Sequence, residues 1–333
     1  MSKVKLPSGS TLPPTNMRYE VRIVSLDEKD RVLAKVLAGK KLWRKKALLH
    51  ECSIQIITDE KNYAYWFDEN FFLADEKLMA HGIIFSIENG GDFEVLYEPY
   101  SRALIVLNCD YYGWVKSMAL ALAADILEDY ASNNRRFSVH GSAVDYSGRG
   151  LAIIAPSGTG KTTLTYGLLM EKRANYIADD WFFVRAFANG MIGYSSEKNS
   201  YIREDLPRVW PEYSSLAKDV ELDNKMRGVA DLSNLFGSGK IRHETTLSKL
   251  VLLMRDKSEE RKFWKMTSDE AFAYLKKIYY GNPQHQLIRD ARKIKLRDEF
   301  FKQFVTRLET YMLNTTETPA ESLGRLKELA DGM

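Results

Sequence analysis

The chain has 333 residues, 45% of them hydrophobic and 28% charged, and a formal net charge of +3 with both signs interspersed. These values exclude a fibre and a disordered chain, favour two domains of ordinary size or one domain with a large extension, and give no argument for a nucleic-acid or membrane-surface binder. The two cysteines, Cys52 and Cys109, lie far apart in sequence without metal-ligand spacing, which argues against a zinc site or a disulfide framework.

The first residues are polar and contain prolines, unlike a secretory signal, and no apolar run reaches the roughly 18 residues of a membrane-spanning helix. We therefore expect a cytoplasmic protein that makes no contact with a membrane. Residues 1–16 combine serine, threonine and lysine with three prolines, a composition that predicts a flexible tail.

Residues 17–133 are predicted to form a smaller, mostly β domain of the α+β class. Short segments rich in β-branched and aromatic residues are separated by turn-forming residues, which favours a mostly antiparallel sheet. These segments are Tyr19–Val24, Cys52–Thr58, Ile83–Ile87, Phe93–Tyr97 and Ala103–Leu107. Apolar residues at helical spacing over Tyr111–Tyr130 predict the helix that ends this domain, and Asn133–Arg136 is typical of a linker.

Residues 134–333 are predicted to form an α/β domain that is followed by C-terminal helices. The predicted strands and the first helix of this domain are Phe137–Asp145, Leu151–Ala155, Lys161–Lys172 (the helix), Tyr176–Ala178 and Leu247–Met254. The dipeptide at Asn189 and Gly190 predicts a hairpin between Trp181–Phe187 and Met191–Tyr194. Capping patterns predict later helices that begin near Ser268, Pro283 and Thr318.

A glycine-rich loop between a short apolar strand and a helix, Ala155–Thr163, carries the strongest functional signal. Gly158 and Gly160 allow the backbone to turn tightly and direct successive N–H groups inward, and the new helix offers its positive end to an anion. We predict that Lys161 reaches the β- and γ-phosphates of ATP, and that the Thr162 hydroxyl completes a Mg²⁺ shell. The predicted nucleotide-binding residues are Ser157, Gly158, Thr159, Gly160, Lys161, Thr162 and Thr163.

The loop departs from the usual pattern GxxxxGK[ST] at one position, because Ala155 replaces the first glycine. Alanine costs little wherever the backbone angle φ is negative, so the exchange weakens the match without breaking it. The alternative is a glycine-rich turn that binds nothing. The apolar strand before the loop and the helix after it favour the phosphate loop.

Two adjacent carboxylates, Asp179 and Asp180, follow an apolar segment just after the predicted phosphate-loop helix. One carboxylate could hold Mg²⁺ while the other accepts the proton of an attacking hydroxyl. The alternative is a solvated turn before the next strand. His140 ends the strand segment before the loop strand, and a lone histidine is more often structural than catalytic. It would gain a role if it contacted Asp179 and tuned its proton affinity.

With these residues in place, the second domain resembles the superfamily that joins HPr kinase/phosphorylase and phosphoenolpyruvate carboxykinase. The run VHGSAVDYSGRGLAIIAPSGTGKTTLTYGLL and the later YIADDWFFV are similar to both members in order and spacing. A third stretch, from Met226 to Leu253, is similar to the kinase segment that follows the acidic pair. The resemblance covers roughly residues 137–255 and implies a P-loop kinase fold of this type.

The resemblance also implies roles for individual residues. Asp179 would be the base, Asp180 or Thr162 a Mg²⁺ ligand, and His140 a support for Asp179. Arg227 would face the acceptor and the transferring phosphoryl group, so the predicted catalytic set is Asp179, His140, Lys161 and Arg227. Members of the kinase family tend to assemble as oligomers, and the resemblance therefore implies a homo-oligomer as well.

The predicted function is ATP-dependent transfer of the γ-phosphate to a hydroxyl group. The acceptor is a protein or peptide serine or threonine, or a small molecule, and the sequence does not choose between them. Nucleic acid ranks third, because Phe300, Phe301 and Phe304 fall at helical spacing and predict a packed face rather than a binding surface. Three alternatives stay open: a nucleotide-dependent binding module without transferase activity, a carboxykinase-like enzyme, and an ATPase that uses water.

Overall fold

The structure is a computed structural model that describes residues 20–130, 134–203, 206–214, 227–278 and 286–333. Its strands form a seven-stranded sheet, a nine-stranded sheet and a two-stranded ribbon. The predicted tail at residues 1–16, residue 133 of the predicted linker and the helix expected near Pro283 lie outside the described residues. The division of the chain at residues 133 and 134 into two domains stays a prediction.

The first sheet is built from strands that all precede residue 108, in the spatial order β1-β6-β7-β5-β3-β2-β4. Its strands are β1 (Val21–Ile23), β2 (Trp43–Leu49), β3 (Cys52–Thr58), β4 (Phe72–Leu73), β5 (Gly82–Ile87), β6 (Glu94–Glu98) and β7 (Ala103–Leu107). The helices of this part are α1 (Leu26–Leu37), α2 (Lys61–Asn70) and α3 (Tyr112–Glu128).

The first sheet is mixed rather than mostly antiparallel, because three of its six strand pairs are parallel. Strands β3, β5 and β7 run parallel to one another, and β1 runs parallel to β6. The parallel pairing of β3 with β5 follows from α2, a helix that the sequence analysis did not predict and that lies in the connection between them. The connection from β5 to β7 contains β6, which pairs antiparallel with the far side of β7, so that β7 runs parallel to β5. A parallel pair needs such a crossover, whereas an antiparallel pair needs only a tight turn.

Helix α3 is buried on nearly all of its faces, which agrees with its apolar sequence and with the predicted helix over Tyr111–Tyr130. Its side chains belong to one hydrophobic core with residues of the first sheet and with Trp181, Phe183 and Tyr201 from later in the chain. The helix therefore packs against both parts of the molecule and brings its own polar side chains to the boundary between them.

The second sheet is a mixed sheet whose central path runs β11-β9-β10-β16-β13-β12-β8, with β18 paired to β16 and to β17. Its strands are β8 (Phe137–His140), β9 (Ser142–Tyr146), β10 (Arg149–Ile154), β11 (Ala174–Ala178), β12 (Trp181–Phe187), β13 (Gly190–Ser195), β16 (Glu244–Met254), β17 (Phe263–Lys265) and β18 (Glu309–Asn314). The separate ribbon consists of β14 (Ser200–Arg203) and β15 (Arg227–Ala230).

Helices cover both faces of the second sheet. They are α4 (Lys161–Leu169), α5 (Leu206–Val209), α6 (Leu232–Phe236), α7 (Ser268–Lys277), α8 (Ala291–Arg307) and α9 (Pro319–Asp331). Side chains of α4 and α9 share one core with Leu151 and Ile153, whereas side chains of α7 and α8 share another with Ala152 and Ile154. Successive side chains of β10 thus alternate between the two cores, as in any buried strand.

Most predicted elements of the second part are present, including the hairpin of β12 and β13 and the helix starts at Ser268 and Pro319, where Thr267 and Thr318 form capping boxes. The strand predicted over Phe137–Asp145 is two strands, because the chain breaks at Gly141. The packed face predicted from Phe300, Phe301 and Phe304 is confirmed by their burial on α8. Among the described helices, none combines the length and the apolar character that a membrane crossing needs.

Candidate functional site

The glycine-rich loop lies where β10 ends and α4 begins. Gly158 and Gly160 have φ angles of +83° and +98°, a conformation that costs other residues strain. Ala155 does not have a positive φ, so alanine fits its position without strain. Gly160 is the N-cap of α4 and makes no side-chain capping bond, which leaves the first N–H groups of the helix turned toward the loop.

The acidic pair stands beside this loop, at the end of β11. The ammonium group of Lys161 donates a hydrogen bond to the main-chain oxygen of Asp179. The same nitrogen lies 3.8 Å from Asp179 Oδ1 and 3.5 Å from Asp180 Oδ1. The fold therefore brings the loop lysine and both carboxylates together, as the order of the motifs in the sequence predicts.

Asp179 is buried, and burial raises the pKa of its carboxyl group, helped by the negative charge of Asp180 and opposed by Lys161 and by a hydrogen bond from Thr162. Its Oδ1 atom is a buried acceptor without a hydrogen-bond partner among the described residues. A buried acceptor of this kind is costly unless a ligand supplies the donor. The geometry suits a carboxylate that receives a proton from a bound hydroxyl.

Asp180 differs from its neighbour, because 39% of its side chain is exposed. Burial opposes its ionisation, but the ammonium groups of Lys116 and Lys161 outweigh that effect and hold the pKa of Asp180 well below its ordinary value. His140 had been expected beside Asp179. In the structure, His140 Nε2 instead lies 3.3 Å from Asp180 Oδ1, because β8 ends at His140 where β12 begins at Trp181.

Lys116 is a site residue that the sequence analysis missed. It lies on α3 with its side chain only 2% exposed, and its Nζ is 3.2 Å from Asp180 Oδ2 and 2.9 Å from Glu197 Oε1. Glu197 is also buried and accepts a hydrogen bond of 2.6 Å from the Asn70 amide of α2. Burial disfavours the charged form of Lys116, yet the two carboxylates outweigh it and raise its pKa, so this lysine stays positive.

The signal for Lys116 was present in the sequence. It is the one basic residue of α3, whose first three turns otherwise contain apolar and aromatic residues and one serine. A lone lysine on a helix that is apolar all round must find a buried partner.

A second group that the sequence analysis missed supports the loop. Arg255 follows β16, the parallel neighbour of β10, and its guanidinium lies 3.8 Å from the position that a Cβ on Gly160 would take. Its Nε donates to the main-chain oxygen of Thr315, whose hydroxyl donates to the main-chain oxygen of Thr159 at 2.8 Å. Thr315 follows β18, a strand in the region where only helices had been expected. Because β16 and β18 run parallel to each other, their carboxyl ends meet beside the loop.

The remaining predicted residues have mixed positions. Ser157 is exposed at the loop. Thr159 is buried, and its hydroxyl donates to the main-chain oxygen of Pro156. The main-chain oxygen of Thr163 accepts from the indole of Trp210.

Arg227 begins β15, and its guanidinium lies over the ring of Tyr201, 5.9 Å from the centroid. The ammonium of Lys116 lies near the same ring, at 5.8 Å, so Tyr201 connects Arg227 with the acidic pair.

Mg²⁺ can be tested against these residues. Among the described residues, no group of three or more His, Cys, Asp or Glu side chains could hold a metal ion. Mg²⁺ in nucleotide sites does not need such a group, because it keeps several waters and binds through one or two carboxylates and the phosphates. Asp180, ionised, partly exposed and 3.5 Å from the ammonium of the loop lysine, fits that kind of site.

No protein-family model matches the chain. Two curated proteins are similar to it: an HPr kinase/phosphorylase of Latilactobacillus sakei subsp. sakei (strain 23K), and a phosphoenolpyruvate carboxykinase (ATP) of Aeropyrum pernix. The first is 28% identical over 149 residues, which are 45% of this chain and 41% of the relative. The second is 30% identical over 184 residues, which are 50% of this chain and 36% of the relative.

These two distant similarities indicate a related P-loop kinase-like superfamily. The chain spans only about two fifths of the length of the relatives that it matches, so their complete activities do not transfer to it directly. The mixed α/β architecture is compatible with a kinase-like fold of this kind.

Proposed function

We propose that this chain is an ATP-dependent kinase that transfers the γ-phosphate to a hydroxyl group. The observation that carries the proposal is the buried Asp179 oxygen, which has no hydrogen-bond partner among the described residues and lies 3.8 Å from the ammonium of the loop lysine. A base beside a phosphate-binding loop is what hydroxyl phosphorylation requires. The two distant relatives support the choice, since their names describe a kinase and an ATP-using enzyme.

In the proposed reaction, the hydroxyl oxygen of the acceptor attacks the γ-phosphorus while the bond from that phosphorus to the bridging oxygen of ADP breaks. The hydroxyl proton passes to Asp179, whose raised pKa makes it a better proton acceptor than an ordinary aspartate. ADP keeps the electron pair of the broken bond.

Charge neutralisation is the second part of the proposal. The loop N–H groups and Lys161 bind the phosphates, and Asp180 with Thr162 would hold a Mg²⁺ ion that offsets phosphate charge. His140 and Lys116 orient Asp180, whose carboxylate they contact from two directions. Arg227, over Tyr201, faces the acceptor side, and the guanidinium of Arg255 stabilises the negative charge that builds up beside Gly160.

Transfer from γ-labelled ATP in the presence of Mg²⁺ tests the proposal, with a cell extract and a panel of hydroxyl compounds as acceptors. Asp179→Asn should bind ATP within a few-fold of the unmodified chain but lower transfer by about 10²-fold or more, the usual contribution of a positioned base. Lys161→Ala should weaken both ATP binding and transfer. Asp269→Asn, an exposed carboxylate on α7, is the matched control and should change neither.

The outcomes separate the alternatives. Transfer by Asp179→Asn at the unmodified rate would remove Asp179 as the base. Tight ATP binding with no label on any acceptor would favour a nucleotide-dependent binding module, and free labelled phosphate would indicate an ATPase. The class of molecule that gains the label distinguishes a protein or peptide, a small molecule and a nucleic acid.

A carboxykinase-like activity is the second candidate, because the carboxykinase match is longer than the kinase match and slightly higher in identity. Phosphorus NMR of the chain with ATP, Mg²⁺ and small carboxylic acids would detect phosphoenolpyruvate that is formed or consumed. Its appearance, with dependence on Lys161, would replace the kinase proposal.

A further inference from the structure

Two parallel strands end beside the phosphate loop and bring an arginine and a threonine to it. Arg255 follows β16 and Thr315 follows β18, and the two strands run parallel with Met254 opposite Asn314. Strand β16 also runs parallel to β10, the strand that leads into the loop. Ligands of α/β sheets bind outside the carboxyl ends of parallel strands, which is where both residues stand.

Thr315 holds the main chain of the loop. It is only 5% exposed, and its hydroxyl lies 2.8 Å from the main-chain oxygen of Thr159 and 3.1 Å from that of Met254. A hydroxyl has one proton, so the two oxygens share it, and the shorter contact is the one to Thr159. Thr159 lies between Gly158 and Gly160, the loop residues with positive φ. The hydroxyl therefore fixes the segment that directs N–H groups inward.

Thr315 also fixes the side chain of Arg255. The Nε of Arg255 donates to the main-chain oxygen of Thr315 at 3.1 Å, and a terminal guanidinium nitrogen lies 3.8 Å from the position of a Cβ on Gly160. The backbone beyond Arg255 is held as well. The buried amide of Asn314 donates to the main-chain oxygen of Asp256 at 2.7 Å and accepts from its N–H at 3.0 Å. The guanidinium thus has a fixed place beside the loop.

The charge of Arg255 is not neutralised by a carboxylate within the part of the chain that the structure describes. Arg261, six residues later, differs in this respect, because its guanidinium lies 2.8 Å from Glu259 Oε2. A guanidinium is always charged, and its planar set of N–H donors suits a phosphate group. A fixed guanidinium without an ion pair, beside an anion-binding loop, is suited to bind the same anion as the loop.

We propose that Arg255 is a second cationic residue that binds the phosphate chain of ATP, and that Thr315 is its positioning residue. Arg255 then contributes to the affinity for ATP and ADP, and not only to the charge that develops during transfer. Thr315 does not contact the nucleotide and acts through Thr159 and Arg255. This inference rests on the proposed function, because it needs a nucleotide at the loop.

Isothermal titration of the full chain with ATP and with ADP, in the presence of Mg²⁺, measures binding apart from transfer. Arg255→Gln should weaken the affinity for both nucleotides about tenfold, because it removes a charge-assisted hydrogen bond to phosphate. Arg255 is exposed, so its replacement should leave the chain folded. Lys257→Gln, an exposed lysine two residues later, is the matched control and should change the affinity by less than about twofold.

Variants of Thr315 separate positioning from packing. Thr315→Val keeps the shape of the side chain but removes the hydroxyl, so the oxygen of Thr159 loses its donor and the affinity for ATP should fall about fivefold. Thr315→Ser keeps the hydroxyl and should remain within about twofold of the unmodified chain. Thr315→Val combined with Arg255→Gln should weaken binding by less than the product of the single effects, because the two residues belong to one hydrogen-bond network.

Two results would overturn this inference alone. These are unchanged affinity of the folded Arg255→Gln variant for both nucleotides, and a Thr315→Ser variant that binds ATP no better than Thr315→Val, while the unmodified chain binds ATP and transfers its phosphate. An unmodified chain that does not bind ATP would overturn the inference and the proposed function together. Circular dichroism of each variant establishes that a lost signal does not come from unfolding.

Discussion

Replacement of Lys116 by methionine is the sharpest test of how the two parts of the molecule share one site. Methionine has a similar length and fills the same space, so the change removes the ammonium and keeps most of the packing. Glu197, only 4% exposed, would then keep the Asn70 amide as a donor but lose the cation 2.9 Å away. The Asp180 carboxylate would lose less electrostatic stabilisation, because it is 39% exposed and the ammonium of Lys161 still lies 3.5 Å away.

The magnitude follows from the burial of the Lys116–Glu197 pair. Removing one partner of a buried ion pair lowers the free energy of unfolding by about 3–5 kcal/mol. Methionine retains most of the packing and Glu197 keeps its hydrogen bond from Asn70, so we expect the lower end of that range. Adding Glu197→Gln removes the buried carboxylate charge that the Lys116 substitution leaves unpaired, and it keeps an acceptor for the Asn70 amide. The double variant should therefore be more stable than the single variant, with a coupling energy of about 2 kcal/mol.

Urea unfolding followed by tryptophan fluorescence measures these free energies, at one pH and one ionic strength for all variants. Lys295→Met is the matched control, because Lys295 is 77% exposed in its pair with Glu299 and should contribute less than about 0.5 kcal/mol. A Lys116→Met variant within about 1 kcal/mol of the unmodified chain, or a double variant no more stable than the single one, would refute the buried-pair reasoning.

Three further predictions concern single positions. Burial, and then the charge of Arg136, lowers the pKa of His50 from 6.5 to about 4, so the unfolded chain binds a proton that the folded chain does not. Stability should therefore fall between pH 6.5 and about 4, by about 3 kcal/mol in full, and urea midpoints of His50→Gln should show a smaller decrease over that range. Gly141→Ala should destabilise the chain by about 2 kcal/mol or more, because its Cβ would lie 2.6 Å from the Ile153 oxygen, whereas Gly239→Ala, with open space around it, should shift thermal melting little. Gly160→Ala should weaken ATP binding about tenfold in calorimetry, since alanine adopts its φ of +98° only with strain, and unchanged affinity would contradict a phosphate loop held in this conformation.

Local patterns in the sequence were sufficient for elements whose signals lie within a few residues. The hairpin at Asn189 and Gly190, the capped helices at Thr267 and Thr318 and the strand–loop–helix order around Lys161 depend on neighbouring residues alone. The directions of the strands in the first sheet depend instead on how distant segments of the chain connect and pack. Alternating or buried apolar residues look the same in parallel and antiparallel strands. The crossover helix α2 has five apolar or aromatic residues in a row, Tyr63–Phe67, and this run hides the helical spacing of its buried side chains.

The residues of the candidate site likewise differ in whether local sequence patterns predict them. The loop residues and the acidic pair could be found because they lie in contiguous motifs. Lys116 could not be paired in advance, because it is 81 residues from Glu197 and 64 from Asp180, and only the packing of α3 brings them together. The partner of His140 was misassigned for a related reason. Adjacent carboxylates on one backbone point in different directions, and strand register, which the sequence does not specify, decides which of them meets the histidine.

The position of Lys116 changes how the first part of the chain is understood. A separable domain would be expected to leave the electrostatics of its neighbour intact, yet a lysine from α3 and an amide from α2 complete the charge balance of Asp180 and Glu197. Buried charges are stable only when every partner is in place. The sequence boundary proposed at residues 133 and 134 can therefore divide the chain without dividing the site, because the acidic pair is held by both sides of that boundary.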